Sequence, residues 1–282
     1  MTRVLTVARL TILEAPRRKL LLALGILTVV VIALTSWGFS RLPTMSGVTP
    51  AEVRLASSQL TILVAFMFSG VLALGSTLVA APSIASDIES GIALAILPRP
   101  IRRSQLLMGK WLGLALLVTL YAAGSGLLEL LGIWLATGYT PPNPWAALTF
   151  VAAEGIVLMT LALLLSTRLA PMTGGVIALV LFFVAWIGGI ALAIGQTFAN
   201  DTIINIGVGS RLLIPTDGLW HGAIFYLEPT DFLAAARAAG RARAGNPFFA
   251  DQPPPAVYVG WVIAWIAGLL ALANLSFAKR DL

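Results

Sequence analysis

Glu129 and Glu154 are the acidic residues that fall deep inside long apolar runs of this chain. A carboxyl group is costly to hold in hydrocarbon, so each is a candidate for function by default. At about 1.5 Å per helical residue, both lie roughly 13–15 Å from the turn that joins their two segments. Two carboxyls at matching depth on neighbouring helices could line a translocation path, share a proton or receive a cationic group. Equally, each could be a protonated acid donating to a backbone carbonyl at a helix contact. Gly124-Ser125-Gly126 raises a second chemistry, but a nucleophilic serine needs a base within reach. The one histidine is His221, in a different segment, and neither G-x-S-x-G nor H-E-x-x-H occurs. Close helix packing through small residues explains the Gly-Ser-Gly run better. One histidine and no cysteine are a poor start for a metal site. No G-x-x-x-x-G-K-S/T occurs either, so this chain has no phosphate loop for ATP.

The elements that must hold these residues are membrane helices. Of 282 residues, 59% are hydrophobic and 11% charged, and the mean hydropathy is +0.94. A soluble domain carries roughly a quarter charged residues, so the chain reads as an all-α, multi-pass membrane protein with a single transmembrane domain over residues 1–282. A span needs roughly 20 apolar residues. Six runs qualify, at about 20–40, 58–83, 106–137, 145–167, 172–198 and 256–277. The third is overlong, which implies tilt, a kink near Gly124 and Gly126, or a part outside the lipid. Ser166-Thr-Arg168-Leu-Ala-Pro171 separates the fourth and fifth by a tight turn. Before the first span, Val4, Leu5, Ala8, Ile12 and Ala15 recur at helical spacing among basic residues. Residues 1–19 are therefore expected to form an amphipathic interfacial helix rather than a cleaved signal peptide. No internal repeat points to an inverted-repeat transporter.

Charge sets the expected topology. Arg3, Arg9, Arg17, Arg18 and Lys19, then Arg99, Arg102, Arg103 and Lys110, then Arg168, then Lys279 and Arg280 alternate with less basic short connections. The positive-inside rule puts all of these, and both termini, in the cytoplasm. The net charge of +6 then reads as attraction to anionic lipid, not to nucleic acid. Residues 199–255 become a long extracytoplasmic segment. It is expected to carry two short helices lying at the outer membrane face or dipping into it, one within Leu212–Leu227 and one from Thr230 or Asp231 towards Ala244. Trp220-His221 and Phe225-Tyr226 read as interfacial anchors, and Asp251-Gln-Pro-Pro-Pro255 as a stiff extended lead into the last span.

Between the second and third spans lies a polar interruption, Asp87–Lys110. It is too polar for lipid and too apolar for a plain loop, which fits a short amphipathic helix followed by a basic turn. Such a piece could act as a lever on the spans around it.

The order Glu89-x-Gly91, Pro100, Arg102-Arg103, Gly109-Lys110 resembles the inner loop of type-2 ABC exporter permeases, among them multidrug or antibiotic exporters and nitrous-oxide-reductase maturation permeases. The basic amphipathic start, the six spans and the ending Phe277-Ala-Lys279-Arg280-Asp281-Leu282 are similar too. Ile92, Ala93, Ala95 and Pro98 depart from the family pattern. The resemblance implies a half-transporter, usually a homodimer, in the cell membrane on two copies of a soluble ATPase that binds ATP and Mg. No cofactor is then bound by this chain. The resemblance makes 86–103 the coupling loop, with Asp87, Glu89, Gly91, Pro100, Arg102 and Arg103 as its residues. Arg168 and Pro171 mark a minor coupling turn. For Asp87 a helix-capping role is the alternative, and for Arg99, Arg102, Arg103 and Lys110 the alternative is lipid anchoring. Export is the first functional expectation. Mechanical transmission to an extracytoplasmic partner on 199–255 is the second. An intramembrane lipid-modifying enzyme using Glu129 or Glu154 is the third.

Overall fold

A computed structural model describes residues 2–14, 19–89, 102–230, 232–234 and 246–280. The described elements are α1 (Thr2–Glu14), α2 (Lys19–Arg41), a short 3-10 turn, α3 (Pro50–Ala80), α4 (Pro82–Glu89), α5 (Arg103–Thr137), α6 (Pro144–Ser166), α7 (Pro171–Phe198), α8 (Asp201–Leu213), α9 (Thr216–Leu227) and α10 (Ala256–Ala278). Six helices are long and apolar enough to cross a membrane, and they coincide with the six runs read from the sequence.

Local chemistry sets where these helices begin and end. Thr49 and Glu52 form a reciprocal capping box at the start of α3, with Pro50 in the first turn. Asn143 accepts from Ala146 N–H at 3.2 Å, and Pro144 follows it to open α6. Gly138 ends α5 in the left-handed region at φ 70. Ala199 ends α7 at φ 51, and Asn200 immediately caps α8.

Helix α6 is the centre of the bundle. It packs on α3, α5, α7, α9 and α10, and 61% of its most apolar stretch is buried against 17% for α2 and α10. The outer faces of α2 and α7, with Leu22, Ile26, Val176 and Val180 exposed, are apolar surfaces suited to lipid.

The long third span is one unbroken helix of 35 residues, about 50 Å by helical rise. That exceeds a hydrocarbon core of about 30 Å, and the helix runs through Gly124 and Gly126 without a break. Gly126 is a packing notch, since a Cβ there would meet Leu148 at 2.2 Å, whereas Gly124 faces open space. At the other end of α5, Gly109 and Gly113 admit the backbone of α1 at Val4 and Ala8. Val7 and Ala8 are buried in this crossing while Leu5 and Leu10 are exposed. The apolar side of α1 is thus split between protein and lipid.

After α7 the helix expected within Leu212–Leu227 forms as α9, but it is preceded by a helix that the sequence did not suggest, α8. Helix α8 folds back along α7: Gly195 meets the Ile204 amide, Gly207 meets Leu192 and Gly188 meets Ser210. Three glycines let two backbones approach where side chains would hold them apart. Helix α9 then runs outward again, ending where Asn143 N–H donates to Tyr226 O at 3.3 Å. Trp220 is 2% exposed and packs on Phe66 with ring centroids 5.6 Å apart. Phe150 fills the notch at Gly222 and stacks on Tyr226. These aromatics are therefore core contacts, not interfacial anchors. The expected helix towards Ala244 lies largely outside the described residues.

Candidate functional site

Polar side chains gather at the two ends of the bundle and at two points within it. At the end that carries both termini, Asp87 lies in the last turn of α4, and not at a helix start. Lys110 reaches across from α5 and donates to the Asp87 carboxylate and to the Ser83 carbonyl. Its ammonium is therefore spent inside the protein, not on lipid headgroups; the residue is 7% exposed. Glu89 ends α4, and its side chain, with Gly91, Arg99 and Pro100, lies outside the described residues. Arg102 is exposed, and its N–H donates to Gln105 Oε1 at 3.1 Å to start α5. Arg103 turns inward to the end of α10, where its Nη1 donates to Phe277 O at 3.0 Å, Ala278 O at 3.1 Å and Arg280 O at 2.7 Å. Arg168 meets the same segment from the α6–α7 turn, donating to Ser276. Pro171 opens α7.

Within the bundle, Glu154 is 2% exposed and accepts from the Ser69 hydroxyl of α3 at 2.7 Å. Glu129 is 7% exposed and interacts with Thr35 of α2, while its Oε1 is buried without a hydrogen bond. The two carboxyls thus serve different helix contacts, and no hydrogen bond joins them.

At the far end a cluster arises that residue spacing did not single out. Asp217, at the start of α9, sits in a notch left by Gly189. Arg211 donates Nε to Asp217 Oδ2 at 2.8 Å and holds Nη2 2.6 Å from the same oxygen. His221 Nδ1 lies 2.9 Å from Asp217 O and 3.3 Å from Arg211 Nη2. Burial holds the His221 imidazole below its ordinary value; the Asp217 carboxylate opposes this and the Arg211 guanidinium adds to it. Tyr258 of α10 donates to Pro215 O at 3.0 Å and fills the space beside Gly218. Nearby, Tyr139 donates to Leu227 O at 3.0 Å, and burial followed by the Glu228 charge pushes its phenol up. A cavity of about 920 Å³ adjoins the cluster, lined in part by Gln196, Asp201, Arg211, His221 and Asp251. The sequence signal for this centre was Gly188-Gly189 with Asp217 and His221 one helical turn apart. Among the described residues, no group of three acidic, histidine or cysteine side chains could hold a metal ion.

A helical bundle with six candidate spans, a buried ion pair tying α4 to α5, and two arginines meeting at the end of the last of these helices defines a multi-pass membrane protein. The family described as ABC-2 family transporter protein matches residues 5–282. The chain belongs to that family: it is the membrane subunit of an ABC transporter, a transport subunit rather than a catalytic enzyme, and the family implies an ATPase partner. It is similar to the probable ABC transporter permease protein NosY of Pseudomonas aeruginosa, with 29% identity over 297 aligned positions that cover 98% of each chain.

Proposed function

We infer that the chain works as a homodimer on two copies of a separate ATPase, with both termini cytoplasmic, and couples ATP hydrolysis to export of a substrate. The ATPase, not this chain, holds ATP and Mg. The loop 86–103 is the main docking element, with Glu89, Gly91, Pro100 and Arg102 as its contact residues and Asp87 and Arg103 joining the loop to the bundle. The turn at Arg168 and Pro171 is the minor one. Glu129 and Glu154 stand beside the route of the substrate. The observation that supports this reading is that both ends of the 90–101 segment are fastened to spanning helices, at Asp87–Lys110 and at Arg103–Phe277. A segment held at both ends passes a push to the bundle, as a two-state element biased by nucleotide requires.

The test is co-purification. The chain is extracted in mild detergent with the ATPase encoded beside it, and the subunit ratio and ATP hydrolysis are measured. A stoichiometric complex that Glu89→Arg weakens is expected. An ATPase indifferent to the loop, or none at all, removes the reading.

A second reading has its own support. The far end of the bundle holds a packed helical cap and a cavity of about 920 Å³. Mechanical transmission to an extracytoplasmic partner seated there would use the same coupling loop. A stable complex through residues 199–255 distinguishes it from export.

A further inference from the structure

The end of α10 receives side chains from both short connections on the face that carries the termini. From the loop side, Arg103 Nη1 donates to three carbonyls in succession, Phe277, Ala278 and Arg280, and its guanidinium lies 5.8 Å from the centre of the Phe277 ring. From the turn side, Arg168 donates Nε to Ser276 Oγ and Nη2 to Ser276 O, both at 3.0 Å. Thr167 and Ser276 share a hydroxyl hydrogen bond of 2.8 Å. Arg280 Nη1 returns to Thr167 O at 2.6 Å. Beneath these contacts Phe277 is 1% exposed.

The last carbonyls of a helix have no partner within it and form the negative end of its dipole, so one cation there is ordinary. Here one arginine opens α5 at the exit of the loop, another comes from the α6–α7 turn, and Arg280, just past the helix, crosses back to that turn. A guanidinium fork bonds several acceptors in fixed geometry, unlike a flexible ammonium. The contacts therefore fix the position of the turn relative to the loop exit, with residues 276–280 as the shared member.

We propose that residues 276–280 form a yoke that joins the exit of the coupling loop to the α6–α7 turn, so that the two move as one body with the end of α10. The proposal rests on the reading that an ATPase docks on this face. Arg103 and Arg168 are positioning residues in it: their side chains act on the end of α10, not on substrate or nucleotide. A push on either connection would reach both, and the last span would carry it across the bundle.

The chain has no cysteine, so Ser104→Cys and Ala170→Cys, both exposed positions, can carry a spin-label pair in the complex of full-length chain and ATPase. With labelled chain diluted into unlabelled chain so that each dimer carries one labelled protomer, the pair is expected to give one narrow distance that does not change between nucleotide-free and ATP-trapped states. In Arg103→Ala/Arg168→Ala the distance should broaden and become nucleotide-dependent, and permease-dependent stimulation of ATP hydrolysis, compared at equal amounts of bound ATPase, should fall roughly fivefold or more. Arg168→Ala alone, at an exposed side chain, tests the turn side without disturbing the cap that Arg103 places on α10. It should broaden the distance and lower stimulation by a smaller factor. A wild-type distance that changes with nucleotide overturns the yoke. So does either variant that keeps a narrow, fixed distance and full stimulation. Failure of the unsubstituted chain to bind any ATPase is a separate result, which removes the docking reading and the relay with it.

Discussion

The ammonium of Lys110 is buried against the carboxylate of Asp87, so helix α4 is pinned to the third span by an ion pair. Removing one member of such a pair leaves the other charged, buried and alone, which costs about 3–5 kcal/mol. Lys110→Met and Asp87→Leu are each expected to lower thermal stability in detergent. The double variant should lose much less than the two losses added, because it leaves no orphan charge. Additive losses would mean that the two residues act independently and that the pin is not real.

Gly189 makes room for a carboxylate. A Cβ there would stand 1.9 Å from Asp217 Oδ1 and 2.3 Å from its carboxyl carbon. Gly189→Ala must therefore displace Asp217, which Arg211 and Gly218's neighbour Tyr258 hem in, and a cost of about 1–3 kcal/mol is expected. Gly124→Ala is the control, since nothing lies within 4 Å of its added carbon; its effect should stay within about 0.5 kcal/mol. Thermal unfolding of both variants in one detergent compares them directly. Equal behaviour of the two would contradict the notch.

What was legible in the sequence follows from which forces leave a one-dimensional trace. Apolar run length marked the spans because hydrocarbon thickness fixes it, and Pro171 marked the turn before α7 because proline restricts the backbone. Glu154 was singled out because a carboxyl in an apolar run is conspicuous, and it is indeed buried. Its partner Ser69 lies on another helix, 85 positions away, and no spacing rule connects them. Lys110 looked topogenic because charge counts do not reveal direction; only the fold turns it inward. Helix α8 was missed because Asn200, Asp201 and its two glycines read as a connection, while its packing comes from glycine contacts with α7. The same contacts place Asp217 and His221 beside Arg211, and that neighbourhood exists only once the chain has doubled back.

His221 gives the far-end cluster a pH dependence. The groups that face it are Asp217 and Arg211, and burial outweighs the favourable carboxylate, holding the imidazole below its ordinary value of 6.5. The unfolded chain then takes up a proton near pH 6.5 while the folded chain does not, so the folded state loses stability as pH falls from about 6.5 towards the depressed value. Above pH 6.5 the contribution is flat. His221→Asn keeps a side chain able to bond Asp217 O and removes the titration. Its unfolding temperature should vary less than that of the native chain between about pH 6.5 and 5. An equal slope for both would assign the acid sensitivity to other groups.

Glu154 and Glu129 separate a packing role from a transport role. Glu154→Gln keeps an oxygen that can accept from the Ser69 hydroxyl, so folding should be nearly unaffected. Glu154→Ala leaves that hydroxyl without its partner in a buried site and should cost about 1–3 kcal/mol. Glu129 keeps a buried oxygen with no hydrogen bond, and Glu129→Gln places an amide at the same point between α5 and α2. Neither glutamine can carry a negative charge or exchange a proton. If the carboxyls line the route, transport by Glu129→Gln/Glu154→Gln in proteoliposomes should fall and lose its pH dependence, while stability stays near that of the native chain. If transport rate and pH profile are both unchanged, the carboxyls serve only helix contacts. The route must then be sought along other surfaces of the bundle.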